Sequence, residues 1–224
     1  MTFSIVARSG DPAMFGMAIA SSSPAVAARC AHARAGVGVV ASQNITDPSL
    51  GARTLDALGR GLIASAALAE VLAATPFAAY RQLVALGATG PPAVHSGAQG
   101  LGIVAAAVGA HAAAAGNLLA HDDVPAAMLA AFETAPGQLG GRLVAALEAG
   151  LARGGEAGPI HSAGLLVVRD VAWPIVDLRV DWAVQDPLGP LGVLWGLYAP
   201  QIDAYVQRAL DPRAAPRYGV PGDP

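Results

Sequence analysis

Lysine is absent from this 224-residue chain, and all 13 of its basic residues are arginine. Enzymes that form a Schiff base, and nucleotide-binding phosphate loops, use a lysine ε-amine. The sequence therefore excludes both classes. Cysteine is almost absent as well, since Cys30 is the only one. A single cysteine excludes an intrachain disulfide framework and a zinc site built from several cysteines.

Charge is also scarce, because 13% of the residues are charged and 54% are hydrophobic, with a formal net charge of -3. Nucleic-acid binding needs a basic field, which this composition does not provide. The five histidines do not show the spacing of metal ligands along a helix. We therefore expect no nucleic-acid partner, no metal and no cofactor.

Residues 101–120 carry no charge, and this run is long enough to be considered as a membrane span. Its many alanines contribute little to insertion, and it contains His111, Asn117 and three glycines. We interpret the run as two buried strands joined at Gly109 and Ala110. The sequence shows no signal peptide, so we expect a cytoplasmic protein without a membrane partner.

Apolar periodicity predicts alternating groups of strands and helices along the chain. A helix carrying Leu55, Leu58 and Leu62 should follow Pro48. Further strands are expected over 3–8, 14–21, 35–43, 80–86, 92–95, 165–168 and 175–180, and further helices over 63–74, 124–134, 138–153 and 188–210. Grouped strands and helices are typical of an α+β fold with mainly antiparallel sheets. We expect one domain over 1–210 and a proline-rich tail over 211–224.

Thr2 follows the initiator methionine and begins the first predicted strand. If Met1 is removed, Thr2 carries a hydroxyl group and a free α-amine, which together supply a nucleophile and a base. The reference pKa of an α-amine is near 8, so it is a better base than lysine at neutral pH. The alternative is an ordinary strand residue, and this feature alone favours that alternative.

Seven short segments occur in the order found in the bacterial family called domain of unknown function 1028. They are Thr2–Arg8, Gly16–Ser21, Arg34–Gly38, Ala41–Gln43, Gly116–Leu119, Ser162–Val168 and Val176–Asp181. The chain thus resembles this family, whose members look like N-terminal nucleophile hydrolases. The resemblance implies a four-layer αββα sandwich and a nucleophilic Thr2. Ser22 stands where many members have a lysine, so a lysine cannot tune the threonine.

Two groups of polar residues are candidates for the site around Thr2. Asn117 lies in an apolar stretch, and its NH₂ group could donate to a developing oxyanion, or it could be a turn residue bonded to the backbone. Ser42, Gln43 and Asn44 end a predicted strand, where ligand contacts are common, or they could serve a turn before Asp47. The family resemblance favours the functional role for Asn117.

Charged residues near two strands could bind a substrate carboxylate. Asp177, Arg179 and Asp181 alternate along one strand, so they share one face. A guanidinium suits bidentate carboxylate binding, although an exposed salt-bridge row is the stronger interpretation. Arg29 and Arg34 could bind an anion or belong to a solvated loop.

Three functions remain open at the level of sequence. The first is a hydrolase that cleaves an amide-like C–N bond of a small carboxylate-bearing metabolite, with Thr2 and Asn117 as catalytic residues. Ser22, Arg34, Ser42, Gln43, Asn44, Asp177 and Arg179 are the substrate-binding candidates. The second is a hydrolytic deaminase that uses an activated water on an amino-substituted unsaturated acid. The third is a non-catalytic ligand-binding or assembly protein. We expect a homo-oligomer, in the form of a dimer, because Trp195, Tyr198 and Tyr205 follow helical spacing and are expected to be exposed.

Overall fold

The computed structural model describes residues 2–10 and 13–222, which form a mixed α+β fold. The strands are β1 (Thr2–Ser9), β2 (Met14–Ser21), β3 (Ala31–Arg34), β4 (Gly38–Gln43), β5 (Gln82–Gly87), β6 (Ala93–Ser96), β7 (Ile103–Val108), β8 (Ala112–Leu119), β9 (Ser162–Val168) and β10 (Val176–Val180). The helices are α1 (Val26–Cys30), α2 (Ser49–Gly59), α3 (Ala64–Ala73), α4 (Val124–Thr134), α5 (Leu139–Ala152), α6 (Leu188–Tyr198) and α7 (Ile202–Leu210).

The strands form two antiparallel sheets. The larger sheet has the order β10-β9-β2-β1-β8-β7, so β1 lies at its centre between β2 and β8. In this register Thr2 lies opposite Asn117 of β8. The smaller sheet has the order β3-β4-β5-β6, and there Gln43 of β4 lies opposite Gln82 of β5. Polar residues therefore lie at the ends of β1 and β8 in the larger sheet and of β4 and β5 in the smaller sheet.

Three apolar cores hold the elements together. Alternate residues of β1 point to opposite faces, as in any strand. Phe3 and Ile5 therefore pack in the core shared with α4 and α5, whereas Val6 packs in the core between the two sheets. A third core joins the smaller sheet to α2 and α3. Thr2 lies at the end of the strand that all of this packing fixes.

Most predicted elements are confirmed, including β1, β2, the pair α2 and α3, and the pair α4 and α5. The strand predicted over 35–43 is confirmed from Gly38 as β4, but its first three residues are not part of a strand. Residues 35–37 form the turn between β3 and β4, where Gly36 has a φ of 70°. Positive φ suits glycine, which has no Cβ. The short helix α1 was not predicted, because five residues carry too little periodicity.

Two further expectations need correction. The strands β7 and β8 do form over the uncharged run, but β7 is an edge strand with exposed positions such as Ile103 and Val108. The helix predicted over 188–210 is divided into α6 and α7 by a 3₁₀ turn over Ala199–Gln201. Pro200 lies in this turn, and proline cannot donate the backbone hydrogen bond that a continuous helix requires.

After α7, residues 211–222 contain turns and no helix or strand. Arg208 of α7 donates to the carbonyl oxygens of Pro216 and Arg217, and its guanidinium lies 3.8 Å from the Tyr218 ring centroid. This stretch of the tail therefore packs against α7. Across the described residues, no helix combines the length and apolarity needed to cross a membrane.

Candidate active site at the start of β1

Thr2 is the first residue of β1 and lines a pocket of about 260 Å³. Only 6% of the Thr2 surface is exposed, so Thr2 is surrounded by the pocket rather than by bulk solvent. The pocket is lined by Thr2, Ser23, Arg29, Asn44, Ile45, Thr46, Leu101 and Asn117. This volume is close to the lower end of the range for small-molecule sites.

The Thr2 hydroxyl lies beside a serine of the neighbouring strand. Its Oγ1 donates to Ser21 Oγ over 3.4 Å, which is long for a hydroxyl hydrogen bond. Ser21 Oγ is fixed because it accepts the backbone N–H of Ser23 over 3.0 Å. The Thr2 hydroxyl thus faces a serine hydroxyl that is itself held by the backbone.

Beneath Thr2, side-chain amides connect the two sheets through hydrogen bonds. Ser4 Oγ donates to Gln43 Oε1 over 2.7 Å. The Gln43 NH₂ group donates to Gln82 Oε1 over 2.8 Å and to the carbonyl oxygen of Ala115 over 3.2 Å. Gln43 is fully buried, so these bonds satisfy groups that would otherwise be costly to bury. The sequence placed Gln43 near the site, and the structure gives it this bridging position.

Gln82, which the sequence analysis missed, determines how the Asn117 amide is oriented. Its NH₂ group donates to Ser96 Oγ and to the carbonyl oxygen of Gly116, each over 3.0 Å. Both of its N–H groups are used, so Gln82 Oε1 must accept, and Asn117 Nδ2 donates to it over 3.1 Å. Asn117 Oδ1 consequently points elsewhere. Among the described residues this buried oxygen has no hydrogen-bond partner.

Asn44 forms one wall of the pocket in a strained turn. Its φ is 53° and that of Ile45 is 35°, a region that asparagine tolerates better than the β-branched isoleucine does. The Asn44 side chain donates to the carbonyl oxygen of Tyr80 over 2.6 Å and accepts the N–H of Leu101 over 3.3 Å. These two bonds hold the turn, and strained backbone of this kind is common at functional sites.

Ser42 and Ser22 are the remaining polar candidates near this end of the sheets. Ser42 Oγ donates to the carbonyl oxygen of Asp47 over 2.8 Å, which is the turn interaction considered from the sequence. Ser22 does not line the pocket but lies beside Glu156.

Arg29 is the arginine that lines the pocket with Thr2. It lies in the last turn of α1 and is half-buried, and its Nη1 donates to the carbonyl oxygens of Pro24 at 2.6 Å and Ala25 at 3.3 Å. A guanidinium carries five N–H donors, so these two bonds leave donor capacity for a ligand. Arg29 thus brings positive charge to the pocket.

Arg34, Asp177 and Arg179 lie in a separate cleft that does not include Thr2. Arg179 makes a bidentate pair with Asp177 at 2.7 and 2.8 Å, and Arg34 pairs with Asp56 at 2.8 Å. Both pairs are largely exposed. The structure thus does not bring these residues together with Thr2, because β10, with Asp177 and Arg179, is an edge strand of the larger sheet and β3, with Arg34, is an edge strand of the smaller one.

Glu156 is a buried carboxyl group that the sequence analysis missed. Its residue is 3% exposed, and within residues 2–10 and 13–222 neither carboxyl oxygen completes a hydrogen bond. Burial raises the pKa of this carboxyl to about 7, whereas the charge of the N-terminal amino group, Ser22 and His161 oppose the rise. The sequence signal was a lone acidic residue after Gly154 and Gly155.

Candidate metal ligands and the single cysteine were compared with the geometry that metal and thiol chemistry require. In the part of the chain that the structure describes, no three His, Cys, Asp or Glu side chains are grouped as metal ligands would be. Cys30 is buried, and burial raises the pKa of its thiol. A buried thiol with a raised pKa is a poor nucleophile.

Comparison with known proteins gives a family match and several structural similarities, two of which are described below. The model of a family of unknown function, DUF1028, matches residues 2–191. The crystal structure of protein SPO2555 from Silicibacter pomeroyi, described with the same family, has a TM-score of 0.82 at 29% identity, covering 90% of this chain and 93% of that chain.

Anbu, the ancestral beta-subunit from Yersinia bercovieri, aligns with a TM-score of 0.40 at 13% identity, covering 91% of this chain and 97% of that chain. A similarity at this level supports no argument about fold or function. No curated protein matches the chain. The family match extends over most of the sequence, including Thr2 and Asn117, and the chain therefore belongs to the family of unknown function DUF1028.

Proposed function

We propose that this protein is a hydrolase of the N-terminal nucleophile type that cleaves an amide-like C–N bond of a small carboxylate-bearing metabolite. The observation that carries the proposal is the position of Thr2. It begins the central strand of the larger sheet, it lines a pocket sized for a small molecule, and Asn117 lies opposite it. Met1 lies outside the described residues, and its removal is part of the proposal.

The arrangement of the cores supports the architecture that this function implies. Helices pack on the outer face of each sheet, and the inner faces of the sheets share a core. We propose that these layers form a four-layer αββα sandwich. In such a fold the central strand would present its first residue between the sheets, where Asn117 lies opposite Thr2 and is connected to Gln43 through Gln82.

In the first half of the reaction, Thr2 Oγ would attack the carbonyl carbon of the amide. The hydroxyl proton would move to the α-amine, which becomes an ammonium group. Asn117 has a second N–H besides the one bonded to Gln82, and this N–H would donate to the oxyanion. Collapse of the tetrahedral intermediate breaks the C–N bond, and the ammonium proton passes to the leaving amine.

In the second half, a water molecule would attack the ester formed on Thr2 Oγ. The α-amine would accept a proton from the water and return it to Thr2 Oγ as the ester bond breaks. The products are a carboxylic acid and an amine, and the threonine is regenerated. No metal or cofactor takes part in these steps.

We assign recognition of the substrate carboxylate to Arg29 rather than to Arg34 or Arg179. Arg29 lines the Thr2 pocket, whereas the other two lie in another cleft and are paired with acidic residues. A charge-assisted hydrogen bond contributes about 1.5–3 kcal/mol. A carboxylate-bearing ligand should therefore react at least about ten-fold faster than its neutral amide analogue, and Arg29→Gln should abolish this preference.

A small carboxylate-bearing β-lactone tests the nucleophile, because ring opening by Thr2 Oγ would add the whole probe to the chain. We expect one adduct on Thr2 in the wild-type protein and in Thr2→Ser, and none in Thr2→Val, which keeps the volume but lacks the hydroxyl. Thr134→Val on the exposed part of α4 is the matched control. An adduct that persists in Thr2→Val would refute the assignment.

The same variants distinguish the covalent hydrolase from the water-mediated deaminase. If Thr2→Val retained full turnover of an amino-substituted unsaturated acid, the covalent step would be eliminated while the pocket assignment survived. Saturable ligand binding without turnover of any amide or amino acid would favour the non-catalytic alternative.

A further inference from the structure

Glu156 is a buried acidic group that the proposed steps do not use. A carboxyl group that is 3% exposed normally has hydrogen-bond partners, because burying an unpaired polar group is costly. Among the described residues, both of its oxygens lack one. Ser22 approaches the carboxyl without completing a hydrogen bond of normal geometry. A buried carboxyl group without a completed hydrogen bond is suited to bind a donor other than the side chains already described.

Three contacts place Glu156 on the side of Thr2 from which its backbone nitrogen emerges. Glu156 forms a β-bridge with Leu119, which lies two residues beyond Asn117, the partner of Thr2. Gly155 lies against the ring of Phe3. Ser22, beside Glu156, directly follows Ser21, whose hydroxyl accepts from Thr2.

We propose that Glu156 is the positioning residue of the Thr2 α-amine: its carboxyl group shares one proton with that amine in the mature chain. This inference rests on the proposed function, because it requires that Met1 is removed. It also gives the chain a group that can adjust the basicity of the Thr2 amine, because no lysine ε-amine is present to do so.

The shared proton accounts for how the amine can act as a base. Burial disfavours both charged groups, so an ion pair and a neutral pair of carboxylic acid and amine lie close in free energy. When the proton is on Glu156, the amine is neutral and accepts the hydroxyl proton of Thr2. The resulting ammonium gives its proton to the leaving amine, and Glu156 ends the cycle with the proton it had at the start.

The other charged groups around Glu156 are few. His161 acts on its carboxyl, and on the adjoining segment His121 lies against Gly154. Arg153 and Asp123 form a half-exposed ion pair with each other. Since this pair is internally balanced, the α-amine is the cation that we expect to respond most to Glu156.

The absence of lysine makes the experiment selective, because the α-amine is then the only primary amine of the chain. Trace acetylation with acetic anhydride, followed by removal of O-acetyl groups with hydroxylamine, measures the fraction of neutral amine at each pH. Mass spectrometry of the N-terminal peptide identifies the first residue and its acetylation. The proteins to compare are the wild type, Glu156→Gln, Glu156→Asp and the exposed control Glu148→Gln.

We expect the wild-type titration to be broader than that of a single group and to show two inflections that belong to the coupled pair, one of them near pH 7. Glu156→Gln should titrate as one group and be acetylated about ten-fold faster near pH 8, because the amine loses its neighbouring carboxylate. Glu156→Asp should lie between the two, and Glu148→Gln should match the wild type.

The experiment distinguishes failure of the Glu156 assignment from failure of the proposed function. If the N-terminal peptide begins with Thr2 and all four titrations coincide, the role of Glu156 is overturned while the proposed function stands. If the peptide begins with Met1, both are overturned. The two inflections of the wild-type curve test the inference without any variant, so a single-group curve refutes it even where Glu156→Gln does not fold.

Discussion

Replacing Gln82 with leucine tests the buried amide network that orients Asn117. Gln82 accepts from Gln43 and Asn117 and donates to the carbonyl oxygen of Gly116. Leucine has a similar volume but can do neither, so three buried polar groups would each lose a partner. Each such loss costs about 1–3 kcal/mol, and we expect a total of about 3–6 kcal/mol after partial relaxation. This is a large fraction of the stability of an ordinary domain.

Urea unfolding followed by circular dichroism measures the free energy of unfolding of this variant. The matched control is Gln99→Leu, because Gln99 is exposed, and it should change the free energy by less than about 1 kcal/mol. The β-lactone should also react more slowly with Gln82→Leu, since Asn117 is no longer held in place. A loss of stability as small as that of the control would show that the network does not orient Asn117 as described.

Three further predictions address other parts of the chain. Arg179→Ala should change the free energy of unfolding by less than about 1 kcal/mol and leave β-lactone labelling unchanged, because its pair with Asp177 is exposed; slower labelling would contradict the separate-cleft assignment. The pKa of Glu156 is raised in the folded protein from about 4.5 to about 7, so the folded state favours the protonated carboxyl group. Between pH 4.5 and 7 the free energy of unfolding of the wild type should therefore fall by about 3 kcal/mol relative to that of Glu156→Gln. Parallel pH profiles of the two proteins would refute this prediction. Cys30 should resist alkylation in the folded protein and react after denaturation, because its thiol is buried and has a raised pKa; rapid alkylation of the folded chain would disagree with its burial.

Local patterns were sufficient to predict most of the helices and strands. The alternation of Thr2–Ser9 and the helical spacing of Leu55 and Leu58 are properties of neighbouring residues, and both elements are present. The turn between β3 and β4 was missed because Ala31–Arg34 is a half-exposed edge strand with little apolar alternation. The break at Pro200 could have been predicted from its missing N–H.

The site was predicted less completely, because it depends on contacts between distant residues. Thr2 and Asn117 were selected with the help of family resemblance, and the sheet register places them opposite each other. Arg179 was a plausible carboxylate ligand, but the order of the strands puts it at the far edge of the sheet. Gln82 and Glu156 were missed, since their roles arise from pairing across strands and from a β-bridge.

The most direct test of the account is the identity of the first residue in protein produced with its natural start and no N-terminal tag. Intact-mass measurement combined with sequencing of the N-terminal peptide gives this identity. The account predicts that the chain begins with Thr2 and carries a free α-amine. A chain that retains Met1 would contradict it, because the amine and the hydroxyl would then no longer belong to the same residue.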